Sequence, residues 1–131
     1  MQRFQKSDSS SLSKPELHEL ADGLLVEDAV VLERCIDFVC AETVGLWHGR
    51  ARALMCRRLK HIALSKKQSA QLVQCISNRF STGEFSEQFK DQLRLALLLD
   101  LDLLLKDAEK CQTSHIPHVC RYATWVLRHV S

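Results

Sequence analysis

The sequence predicts an all-α protein of about seven helices in antiparallel hairpins, and three observations carry that prediction. Four Gly and two Pro are spread over 131 residues, too few for the turn signal that an all-β chain needs roughly every 8–12 positions. Apolar residues, mostly Leu, recur at helical spacing through most of the chain. Capping residues stand where the periodic segments begin. The length fits one domain with one core.

Residues 1–13 are polar and Ser-rich, with little apolar surface to offset ordering entropy, and are expected to be a disordered tail. Residues 14–131 are expected to form a single all-α domain. Ser13 followed by Lys14-Pro15-Glu16 is a helix start, with a capping hydroxyl, a first-turn Pro and an acid near the positive helix end. That helix should end near Asp22-Gly23, with Gly23 as a left-handed cap. In the segment 26–43, Ala29, Leu32, Ile36, Val39 and Cys40 make one stripe, which Gly45 interrupts. The next helix runs from about Leu46 to Ile62, the boundaries set by the glycine and by Leu64-Ser65. Ser65 caps a helix through residue 81, with Ala70, Leu72, Val73, Ile76 and Phe80 inward, stopped at Gly83. Ser86 caps a further helix, with Phe85 positioned to staple its first turn. The Leu-rich run 93–105 must be covered on all sides, which makes it the expected centre of the core, split near Asp100. Pro117 opens the last helix, which turns Val119, Tyr122, Ala123, Val126 and Val130 to one side and Trp125 to another. A partly exposed Trp125 would be an anchor for a partner.

An offset of 39 residues superimposes Leu54 on Leu93, Leu59 on Leu98 and Leu64 on Leu103. This period is similar to that of HEAT-type helical repeats and covers about half the chain. The resemblance implies stacked helical hairpins.

Charge is more informative than composition. The net charge is +2, but residues 43–83 carry eight basic residues and no acid, between flanks of −5 (1–42) and −3 (84–110). Helical surfaces ordinarily mix signs because opposite charges one turn apart support the helix. The centre of this span is the segment Trp47–His61, WHGRARALMCRRLKH. With Ala51 at 0° and about 100° per residue, Trp47, Leu54, Met55, Leu59 and Ile62 fall in an arc from about 300° to 80°, the expected buried face. Arg50, Arg57 and His61 make a stripe at its edge, Lys60 lies opposite, and Arg58 falls inside the arc. Arg58 is therefore expected to pair with an acid of a neighbouring helix, Asp37 or Asp91. Lys66, Lys67 and Arg79 should extend the stripe across the next helix into a patch suited to an acidic protein surface or, alternatively, to nucleic-acid phosphates. Stacking aromatics and sequence signatures of nucleic-acid readers are missing, so RNA or DNA would be held through its backbone with low sequence specificity.

No catalytic motif occurs, and no cofactor is expected. Cys111, His115, His118 and Cys120 crowd four possible zinc ligands into ten residues, but Pro117 starts a helix on which His118 and Cys120 diverge, so no zinc site is expected. Cys56 lies among cations, yet mid-helix and with no oxyanion hole. The six cysteines and the lack of an apolar leader suggest reduced thiols in the cytoplasm or nucleus. No run is apolar enough to suggest a membrane partner. The resulting expectation is a non-catalytic interaction or adaptor domain whose basic segment 43–83 engages an acidic partner.

Overall fold

The computed structural model describes residues 12–26, 28–41, 47–85 and 88–130. Among these are seven α-helices: α1 (Lys14–Gly23), α2 (Ala29–Cys40), α3 (His48–Leu59), α4 (Lys66–Thr82), α5 (Lys90–Leu99), α6 (Leu101–Cys111) and α7 (Pro117–Val130), with a 3₁₀ turn, Leu24–Val26, after α1. The all-α expectation is met, and the helix starts follow from local chemistry. Ser13 and Glu16 form a reciprocal capping box on α1, as Ser65 and Gln68 do on α4, satisfying amides that the first turn leaves open. The Asp28 carboxylate accepts from the Val30 and Val31 amides. Asp100 accepts from Leu103 and separates α5 from α6. The break at Gly45, the start at Leu46, the cap at Ser86 and the tail 1–11 lie outside the described residues.

Gly83 closes α4 in the left-handed region at φ +79°, where a Cβ would be strained. Gly23 does not act this way. It is the last residue of α1, the chain continues through Leu24 in a right-handed conformation, and a Cβ on Gly23 would sit 2.5 Å from Val31 Cγ1. Its small size is required by the close approach of α2.

The core is continuous across the helices, with Phe38, Met55, Ile76, Phe80, Phe89, Leu93, Leu95 and Leu104 fully buried. Helix α5 is central, packed against α3, α4 and α6; α3 packs against α1, α2 and α5, and α4 against α2, α5, α6 and α7. The pair α3–α4, expected to lie side by side, is not among the principal packings. Phe85 stacks on Phe89 at 4.0 Å, and Tyr122 meets both rings edge-on, joining the start of α5 to α7. The Leu-rich run is not covered throughout: Leu98 is 62% and Leu101 46% exposed. Of the residues related by the 39-residue offset, Leu59 is buried while Leu98 faces outward.

Candidate interaction groove

Helices α1 and α3 lie side by side, with Lys14 against Trp47 at one end and Asp22 against Arg58 at the other. Between them is a groove of ≈ 300 Å³. Lys14, Leu17 and His18 line it from α1; Trp47, Arg50, Ala51, Leu54 and Arg57 line it from α3. These positions are spaced three and four apart, so each helix contributes a single face. Leu17, Ala51 and Leu54 form an apolar floor under a basic rim. The Lys14 ammonium lies 4.0 Å from the centre of the Trp47 ring and the Arg50 guanidinium 5.5 Å from it, both within cation–π range. Trp47 precedes α3 in a left-handed conformation, φ 76°, uncommon for a bulky residue and a local strain that the surrounding contacts must hold.

Helix α3 is rotated from the phase that its large apolar residues predict. The buried residues are His48, Arg52, Ala53, Met55, Cys56 and Leu59, which span about 40° to 200° on the same wheel. The expected arc weighted large apolar residues, but the small Ala53 and Cys56 pack inward, while Leu54 and Trp47 are half-buried in the groove. Arg52 enters the core and lies 5.2 Å from the Phe38 ring. His48 turns inward as well, meeting Phe38 edge-on with its Nε2 at 3.1 Å from the Leu12 carbonyl.

The cations of the acid-free span consequently have different roles. Arg50 is exposed on the groove rim. Arg57 is 53% exposed and bridges Asp91 at 2.8 Å, an acid that also receives Arg94 at 3.4 Å. Arg58, expected to be a buried pair with Asp37 or Asp91, is only partly buried and bridges the exposed Asp22 at 3.2 Å. Asp37 instead accepts from Gln71. Lys60 is half-buried and His61 exposed beside α5 and α7, in a different depression from the groove. Lys66 and Lys67 are exposed at the start of α4. Arg79, expected on the surface, is a buried structural residue. It donates to the carbonyls of Val39 at 2.6 Å and Ala41 at 3.0 Å and to Gln92 Oε1 at 2.9 Å, holding the carbonyl end of α2 that the helix leaves unsatisfied. No single patch joins α3 to α4 through Arg79.

Sequence reasoning missed Lys14, Leu17 and His18. Their i, i+3, i+4 spacing beside the capping residues was the available signal.

The other candidates are placed elsewhere. Burial pushes the Cys56 thiol well above its ordinary pKa, reinforced by nearby Cys75 and Asp91, so it is a protonated core thiol. His118 donates from Nε2 to the Gly83 carbonyl at 2.8 Å, and Cys120 donates to the carbonyl of Gln112 at 2.9 Å. Among the described residues no group of three or more His, Cys, Asp or Glu is arranged to hold a metal ion. Among the described residues no helix is long and apolar enough to cross a membrane. Trp125 is half-buried, stacked on His129 at 4.8 Å, with Lys90 and Arg94 at 5.5 and 5.3 Å from its ring. Comparison with family models, curated proteins and solved structures finds no match to the chain.

Proposed function

We propose that this chain is a non-catalytic interaction module that seats an acidic, amphipathic segment of a partner protein in the α1–α3 groove. The observation that supports the reading is the composition of that groove. Its apolar floor of Leu17, Ala51 and Leu54 runs beneath Trp47, and Lys14, Arg50, His18 and Arg57 form its edge. An amphipathic helix engages such a groove through apolar anchors three and four residues apart, and acids beside those anchors meet the basic rim, which favours encounter and register. Trp and Arg are the residue types that most often dominate such contacts. The volume lies at the lower end of the range for small-molecule sites, which suits a few side chains inserted from a larger partner. Nucleic acid is the weaker alternative, because Arg52 and Arg79 are buried and Arg57 is already engaged by Asp91, leaving a discontinuous track for phosphates. The proposal keeps a cytoplasmic or nuclear setting, which suits cysteines that stand as thiols rather than in disulfides.

The test is fluorescence anisotropy with a labelled acidic amphipathic peptide, a basic peptide of the same apolar spacing, and a generic single-stranded RNA. Binding of the acidic peptide in the micromolar range, lost in Lys14→Glu/Arg50→Glu and absent for the basic peptide, is the expected result. RNA binding with a steep salt slope, lost in the same variant, would replace this reading with the nucleic-acid one. Failure of both ligands would overturn both.

A further inference from the structure

Among the described residues, six large aliphatic side chains stand out of the surface: Leu25, Val26, Val30, Leu98, Leu101 and Val130, at 64, 76, 69, 62, 46 and 37% exposure. They fall into two groups of opposite electrostatic character. Leu25, Val26 and Val30 straddle the turn between α1 and α2, accompanied by Asp28, which caps α2, and Asp22, whose side chain is 68% exposed. Leu98, Leu101 and Val130 gather where α5, α6 and α7 meet. With Leu97 they line a shallow depression of ≈ 680 Å³ whose remaining lining residues are Lys60, His61, Arg94 and His129. One surface is thus apolar with acids beside it, and the other is apolar with cations and histidines beside it. Neither belongs to the α1–α3 groove.

We infer that the chain associates with itself, the acidic apolar turn of one copy seating in the basic apolar depression of another. Pairing like with like would set Lys60 and Arg94 against their own images, or Asp22 and Asp28 against theirs, and like charges in juxtaposition penalise a contact. Cross-pairing removes both sets of aliphatics from water and brings the opposite charges together. Exposed apolar patches rimmed by polar groups are the usual mark of an interaction site, and two complementary patches on one chain define a heterologous contact between copies. The Asp22–Arg58 bridge lies at the border of the acidic surface and orients that carboxylate without burying it.

Sedimentation velocity on the full chain, from low micromolar to several hundred micromolar, tests this. The mass of the parent is expected to rise with concentration above that of a 15.0 kDa monomer, and less so at high salt. Val26→Lys and Leu98→Glu alter side chains that point into solvent, so their circular dichroism should match the parent. Each alone should weaken association by about tenfold or more. Mixed in equal amounts, they should form a two-copy species, because the intact acidic turn of Leu98→Glu meets the intact basic depression of Val26→Lys. A parent that stays monomeric throughout overturns the proposal, as does association that survives either substitution or a mixture that stays monomeric. Both variants should still bind the acidic peptide in the groove, so failure here is separable from failure there.

Discussion

Replacing Arg79 by Met should cost this fold more than any change on its basic surface. Three acceptors depend on the guanidinium: the carbonyls of Val39 and Ala41 and the amide oxygen of Gln92. All three residues are buried, at 0, 3 and 4% exposure, so water cannot replace the lost donors without opening the joint between α2, α4 and α5. A buried acceptor left without a partner costs about 1–3 kcal/mol. Part of that is offset, because an ion buried away from water is itself expensive and Met removes the ion. The expected loss is roughly 3–5 kcal/mol, equivalent to about 10–20 °C in the thermal midpoint for a chain of this size. Urea unfolding followed by far-ultraviolet circular dichroism measures it. Adding Gln92→Leu removes one stranded acceptor and should restore about 1 kcal/mol. A loss below about 1 kcal/mol for Arg79→Met, the level of an exposed ion pair, would refute the assignment of Arg79 as the buried tie.

Arg57→Ala, by contrast, should change stability by less than about 1 kcal/mol in the same melt, because Arg57 is half in solvent and its bridge to Asp91 is screened. Gly23→Ala should destabilise by roughly 1–3 kcal/mol despite the better helix propensity of Ala, because the new methyl meets the stiff, β-branched Val31. The double variant with Val31→Ala should show a favourable coupling in a double-mutant cycle, and simple additivity would count against the contact. Stability should also fall in alkali. Burial raises the Cys35 thiol to about 12 and the Cys56 and Cys111 thiols above their ordinary values, and a hydrogen bond with Cys75, then burial, raises Cys40. The folded chain therefore holds protons that the unfolded chain releases above about pH 8.5. Their contribution is complete below that pH and declines as the pH climbs toward the folded values, by roughly 1 kcal/mol per pH unit per thiol. Denaturant melts between pH 8 and 10 read this, and Cys56→Ala should flatten the slope.

The parts of the fold visible in sequence were those decided by local chemistry. Ser13, Ser65 and Asp100 cap because a short oxygen side chain meets open amides in the next turn, whatever packs nearby. The angular phase of α3 was not visible, because that helix is packed against α1, α2 and α5 and its buried arc is centred on small and polar residues rather than on its leucines. In such a setting Ala53, Cys56 and even Arg52 belong to the interior, and the Leu positions alone mislead. Gly23 illustrates the same limit: a glycine at a helix end signals a left-handed cap, but here the approach of Val31, set by tertiary packing, is what excludes a side chain. Of the groove, Arg50 and Arg57 were legible as a stripe, while Lys14 and His18 come from a helix more than thirty residues upstream that only the fold brings alongside.

Both tryptophans sit among cations, Trp47 between Lys14 and Arg50 and Trp125 near Lys90 and Arg94. Each indole therefore lies in a positive local field, although one is in the groove and the other beside the depression formed by α5, α6 and α7. An anionic collisional quencher such as iodide is concentrated at such sites and a caesium ion is repelled, so intrinsic fluorescence should respond to the two very unequally. Single-tryptophan variants then provide a separate optical reporter for each surface, without any label.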